Sequence, residues 1–127
     1  MSSSTTLSAP LRKAVIPAAG IGTRMFPAAK AIPKELLPVI DRPTIQYVVQ
    51  EAGDAGLRDV LLIISPDKQA IEQHFQRDVA LEDRLKASGR EKLLQSVNDL
   101  IARVKIYSVH QAQQRGLGDA VLQARRH

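Results

Sequence analysis

Two rhythms succeed one another along this chain: short runs of consecutive apolar residues, and apolar positions that recur every three or four residues. Ala14-Val15-Ile16 is the first run. A second, Leu36-Leu37-Pro38-Val39-Ile40, reads as extended, and Asp41-Arg42-Pro43 then turns the chain into a helix whose first turn suits Pro43. Ile45, Val48, Val49 and Ala52 fall at i, i+3, i+4 and i+7, so one apolar stripe faces inward, and Gly53 and Gly56 mark its end. From Asp59 to Ser65 the apolar residues do not alternate, as expected of a strand buried on both faces in a parallel sheet. Ser65-Pro66 opens a further helix with Ala70, Ile71, His74 and Phe75 inward.

The helical period persists from about Ala80 to Ile101 and breaks at Ser88-Gly89, which predicts two short helices, one carrying Leu81 and Leu85 and the other Leu94, Val97 and Ile101. Val104 to Val109 is another strand. Gln111 to Arg115 makes a polar loop, and Gly116-Leu117-Gly118-Asp119 opens a last helix bearing Ala120, Val121 and Ala124. Strand and helix alternate with connections long enough for crossovers, so the fold class is α/β with a parallel core. Three strands are few for such a sheet, and the domain reads as incomplete. Ligands of open parallel sheets bind beyond the carboxyl ends of the strands, where the loops Ala18 to Gly22 and Gln111 to Gly118 are expected to meet.

Composition narrows the class. With 44% hydrophobic and 24% charged residues the chain lies in the range of ordinary soluble domains, and no apolar run approaches the ~20 residues of a membrane helix. The opening MSSSTTLSAP lacks both a basic start and an apolar core, so residues 1–11 read as a disordered leader and 12–127 as the domain. Absence of cysteine removes disulfides and thiolate metal sites and fits a reducing compartment, the cytoplasm. A net charge of +5 calls for an anionic partner. Nucleic acid is disfavoured, because aromatic residues make up only 3% and the cations are scattered, not lined along one element. A phosphorylated small molecule suits the charge better.

The chemistry concentrates between Lys13 and Pro38. Small residues from Ala18 to Gly22 let the backbone approach a ligand and offer N–H groups to anionic oxygens. Arg24, Lys30 and Lys34 follow in a loop stiffened by Pro27 and Pro33. A dinucleotide fingerprint is excluded by Met25, three positions after Gly22, and a Walker loop by the lack of Gly-Lys-Ser/Thr. His74 reads as a packed residue, His110 and His127 lack metal spacing, and no serine sits in a nucleophile elbow.

The string from Gly20 through Gly22-Thr23-Arg24 to Pro27, with Pro33-Lys34-Glu35 downstream, resembles the signature of the sugar-phosphate nucleotidyltransferases. The phrases PAAKAIPKELLP and IQYVVQEA, the pair His74-Phe75 with Leu81-Glu82 and Leu85, Gly89-Arg90 with Leu93-Leu94, and Gln111 followed by RGLGDAV resemble the bacterial uridylyl-transferring branch. The thymidylyl-transferring relatives lack a helical insertion between Phe75 and Ile101. This resemblance implies a three-layer, Rossmann-like nucleotidyltransferase fold with a mainly parallel sheet, incomplete in this chain. It further implies UTP and glucose 1-phosphate as substrates, UDP-glucose and pyrophosphate as products, Mg2+ as cofactor, and a homo-oligomer.

Carried onto matching positions, Arg24 holds the departing phosphates and Lys34 screens the phosphates being joined. Ala18, Ala19, Gly20, Gly22 and Thr23 form the nucleotide loop, Glu35 lies near the nucleotide, Gln111 meets the uracil edge, and Gly116 leaves room for the base. Three positions depart from the family pattern: Ala29 stands where Thr is usual, His110 where Arg is usual, and Asp119 where His is usual. The family's metal-binding aspartate and sugar-binding Glu-Lys belong to segments beyond His127, so the 127-residue chain is expected to be the amino-terminal, nucleotide-binding part and inactive alone. Two alternatives stay open: a non-catalytic nucleotide-binding or subunit-association module, and a transferase for another base or sugar.

Overall fold

The computed structural model describes residues 11–20 and 23–111, together with Gly118 and Leu122. Strand β1, Lys13–Pro17, is the first apolar run. A 3-10 turn at Thr23–Met25 and another at Lys34–Leu36 punctuate the long loop that follows. The predicted extended run at Leu36 to Ile40 is in fact one arm of a small hairpin, in which β2, Pro38–Val39, pairs antiparallel with β3, Arg42–Pro43. Pro43 therefore precedes the helix in extended geometry, with ψ 145°, and does not occupy its first turn.

Helix α1, Thr44–Asp54, buries Ile45 and Val49 as its stripe requires, but Val48 is exposed and Gln46 takes a place on the inner side. The buried amide is satisfied. Its nitrogen donates to Gln50 Oε1 at 3.1 Å and Ser96 Oγ at 3.0 Å, and its oxygen lies 2.8 Å from His74 Nε2. Strand β4, Asp59–Ile64, is buried from Val60 onward, matching its unbroken apolar sequence. Pro66–Lys68 forms a 3-10 turn that leads into α2, Gln69–His74, where Ile71 and then Phe75 are buried while Ala70 is exposed.

Two helices follow, as the break at Ser88-Gly89 predicts. They are α3, Val79–Ala87, and α4, Gln95–Arg103, with the latter entered through a 3-10 turn at Glu91–Leu94. Asp78 caps α3 by accepting from the Leu81 N–H, and Gly89 takes the left-handed φ of 72° just past its end. Strand β5, Lys105–His110, completes a sheet of order β1-β4-β5 in which both pairings are parallel.

One face of this sheet carries the main core. Ala14 and Ile16 of β1, Val60, Leu62 and Ile64 of β4, and Ile106 of β5 pack with Ile45, Val49, Ile71, Phe75, Val97, Leu100 and Val104. On the opposite face Val15 and Tyr107, the two partners of buried Leu61 across the sheet, are 42% and 43% exposed. Among the described residues no helix is long and apolar enough to cross a membrane. The expected leader, apart from Leu11, and the expected last helix, apart from Gly118 and Leu122, lie outside the described residues.

Candidate nucleotide site

Both edge strands hand the chain over to the end of β4. Beyond β1 the Ala18 N–H donates to the Ile63 carbonyl at 2.7 Å, and beyond β5 the Gln111 N–H donates to the Ile64 carbonyl at 2.7 Å. The loop at Ala18 to Gly20 and the loop at Gln111 thus leave the sheet on either side of one strand end. Ala18, Ala19 and Gln111 are buried there, and Gly20 is exposed.

A third segment joins them. Lys34 stands at the start of its 3-10 turn with Nζ 4.0 Å from the place a Gly20 side chain would occupy, which puts a cation beside the glycine loop. Glu35, next in sequence, is buried. Its carboxylate is held by Lys68, whose ammonium lies 3.0 Å from Oε1 and 3.2 Å from Oε2, and the same ammonium donates to the Ala18 carbonyl at 2.9 Å and to the Gly20 carbonyl. Nothing in the local pattern singles out Lys68, because a lysine in Ser65-Pro66-Asp67-Lys68 reads as a solvated turn residue, yet its side chain is only 7% exposed.

Arg24 is exposed on the turn Thr23–Met25, and Lys30 is exposed on the same loop. This loop is folded on itself, with the Ala29 N–H donating to the Met25 carbonyl at 2.9 Å and the Lys30 N–H to the Pro27 carbonyl at 3.0 Å. Ala29 is buried in that turn. A cavity of about 130 Å³ opens between Gly20, Phe26, the stretch from Ala29 to Pro33, and Asp67 with Lys68. Gly22 and Gly116 lie outside the described residues, as does the side chain of Thr23. His110, at the end of β5, has its Nε2 2.6 Å from Glu72 Oε1, and that hydrogen bond holds the Glu72 carboxyl below the usual carboxylate range.

A larger cavity, of about 730 Å³, lies at the other ends of the strands, between Arg12, Arg58, Asp59, Arg103 and Lys105. None of the sequence-predicted site residues lines it. The carboxyl end is the better candidate, because crossovers of a parallel sheet open their crevice there and three segments already converge on it. Among the described residues no group of three or more histidine, aspartate or glutamate side chains is placed to hold a metal ion.

At one end of a parallel α/β sheet stand a small-residue loop, a lysine beside it and a buried glutamine across the strand end. The sequence profile described as nucleotidyl transferase matches residues 13–127, and the chain belongs to that family. It is 50% identical over 115 residues to a UTP–glucose-1-phosphate uridylyltransferase of Mycoplasma pneumoniae, covering 91% of this chain and 40% of that protein. A uridylyltransferase of the same description from Streptococcus pyogenes is 47% identical over the same length. Among solved structures, the UTP-bound UGPase from Acinetobacter baumannii superposes with a TM-score of 0.86 at 43% identity, over 92% of this chain and 41% of that one. A UDP-glucose pyrophosphorylase complexed with UDP-glucose gives a TM-score of 0.76 at 35% identity, over 92% of this chain and 41% of that one. This chain therefore spans about two fifths of the length of the relatives it matches.

Proposed function

We propose that this chain is the nucleotide-binding half of an enzyme that moves the uridylyl group of UTP onto glucose 1-phosphate, giving UDP-glucose and pyrophosphate. The observation that carries the reading is the convergence of three separate segments, Ala18 to Gly20, Lys34-Glu35 and Gln111, on the end of β4. The relatives' descriptions support the substrates: one solved structure holds UTP and another UDP-glucose. An oxygen of the sugar 1-phosphate attacks the α-phosphorus in line, the new P–O bond forms as the bond to pyrophosphate breaks, and negative charge gathers on both sides. Positioned cations are what such chemistry depends on.

In this reading Lys34 screens the phosphates being joined and Arg24, reaching out from its exposed turn, holds the departing pair. Ala18, Ala19, Gly20, Gly22 and Thr23 line the nucleotide. The Ala19 and Gly20 backbone and the Gln111 amide meet the uracil edge, a task suited to a side chain that both donates and accepts. Glu35 lies near the nucleotide and Gly116 leaves room for the base. Mg2+ would supply charge neutralisation on the triphosphate in the complete enzyme, and none of the described side chains is assigned to it. The complete enzyme works as a homo-oligomer in the cytoplasm.

Two measurements test the reading. Intact mass of the polypeptide in its native cells should lie well above 13.9 kDa, the mass of this chain. The complete protein, given UTP and glucose 1-phosphate, should release pyrophosphate and UDP-glucose in equal amounts. Release with dTTP or ATP in preference to UTP would reassign the base, and no release with any of them would leave a nucleotide-binding module.

A further inference from the structure

We infer that Lys68 is a positioning residue that sets the uracil preference of the nucleotide site. The assignment rests on the nucleotide reading above and deepens it. An ammonium has three N–H groups. Those of Lys68 are all engaged, by the Ala18 carbonyl, the Gly20 carbonyl and the Glu35 carboxylate, so none remains for a ligand. Its influence on a nucleotide runs through the groups it holds.

These groups belong to two of the three segments that make the site. The peptide unit is planar and trans, so turning the Ala18 carbonyl onto Lys68 turns the Ala19 N–H to the opposite side. The Gly20 carbonyl is fixed in the same way. Glycine at this position leaves the backbone free to rotate, so its orientation needs an external hold. Through Glu35 the same ammonium fixes the 3-10 turn that begins at Lys34, the residue whose own ammonium stands beside Gly20. Lys68 is itself rooted at the end of β4: its N–H donates to the Ser65 carbonyl at 3.0 Å, Pro66 stiffens the turn, and α2 begins at the next residue. One buried side chain thus transmits the rigidity of the central strand to the backbone that meets the base.

Uracil and cytosine differ in the donor and acceptor order of the edge this backbone would read, so a loosened loop discriminates between them less well. The test measures UTP and CTP binding by the complete protein, by calorimetry, for the unsubstituted form, Lys68→Met and Lys68→Arg, each checked by its thermal transition. The unsubstituted protein is expected to prefer UTP, and folded Lys68→Met to lose about tenfold of that preference. A merely structural role would lower the affinity for both nucleotides together and leave their ratio unchanged. That result, or an unchanged ratio at unchanged affinity, overturns the assignment of Lys68 while leaving the nucleotide reading in place. Should Lys68→Met not fold, Lys68→Arg carries the test, because it keeps the charge but moves the donors: a reduced ratio supports the assignment and an unchanged one overturns it. An unsubstituted protein that binds neither nucleotide, or both alike, overturns the nucleotide reading and the assignment with it.

Discussion

At the scale of single residues, two side chains carry predictions of opposite kinds. Arg24 is exposed, so Arg24→Ala should leave the melting temperature within about 1–2 °C, as surface substitutions do. In the complete protein the same change should lower turnover by two or more orders of magnitude, roughly the loss of one transition-state charge contact. Steady-state pyrophosphate release checks it, and near-normal turnover removes Arg24 from the mechanism. His74 is structural. The Gln46 amide nitrogen is already used as a donor, so its oxygen accepts from His74 Nε2–H, which fixes the neutral tautomer, and burial pushes the imidazole below its ordinary value of 6.5. Between the folded value and 6.5 the unfolded chain binds the proton and the folded chain does not, so stability is full above 6.5 and falls as the pH drops below it. Urea unfolding at pH 7.5 and pH 5.5 should show this loss, and His74→Gln should flatten the dependence.

At the scale of elements, the hairpin of β2 and β3 turns on Ile40, which is 95% exposed and held at φ 63°. A β-branched residue in the left-handed region costs roughly 1–2 kcal/mol and gains nothing here from burial. Ile40→Gly is expected to raise stability by up to about 1 kcal/mol, since relief of strain outweighs the added chain entropy. Denaturant midpoints decide it. Gly53 in α1 shows the reverse case, because a Cβ there would come within 3.0 Å of Val104 Cγ2, and Val104 is only 2% exposed. Helix propensity favours alanine by about 1 kcal/mol. Overpacking against an immobile neighbour costs about 1–3 kcal/mol. Gly53→Ala should therefore destabilise on balance, and combining it with Val104→Ala should cost less than the sum of the two.

Elements were legible in the sequence where burial and pattern agree, and failed where a tertiary contact intervened. β4 declares itself because both its faces are covered, and the break at Ser88-Gly89 declares itself through chain chemistry alone. Gln46 and Val48 exchange places on α1 because a polar network with Ser96 and His74, invisible in the helical period, fills the inner side. The hairpin was hidden because a two-residue strand has no period to read. Within the site, the residues that the family resemblance singled out at Gly20, Lys34, Glu35 and Gln111 do gather at one strand end. Lys68 was not legible, since what buries it is the meeting of the turn after β4 with two distant parts of the long loop after β1.

Across the whole molecule the charge pattern assigns this chain one part of the proposed reaction. Its net charge is +5, and Arg24, Lys30 and Lys34 occupy the loop beside the candidate site. In the proposed reading, the grip of this chain on a triphosphate comes from cations and backbone N–H groups, both electrostatic and open to screening. The Debye length is about 10 Å at 0.1 M salt and about 3 Å at 1 M, so affinity for UTP should fall steeply as salt is raised. Removing divalent metal should act differently on binding and on turnover. With a chelator present, the 127-residue chain should keep its UTP affinity within about threefold, a change of less than 1 kcal/mol, whereas the complete protein should lose UDP-glucose formation. Without chelator the 127-residue chain should still form no UDP-glucose, because two positioned cations do not replace a metal and an oriented sugar phosphate. Measuring UTP binding and product formation on the same samples separates the two. Affinity that collapses with the chelator would mean that the triphosphate reaches this loop only as its metal complex, and would move the first contact from Arg24 and Lys34 to the metal.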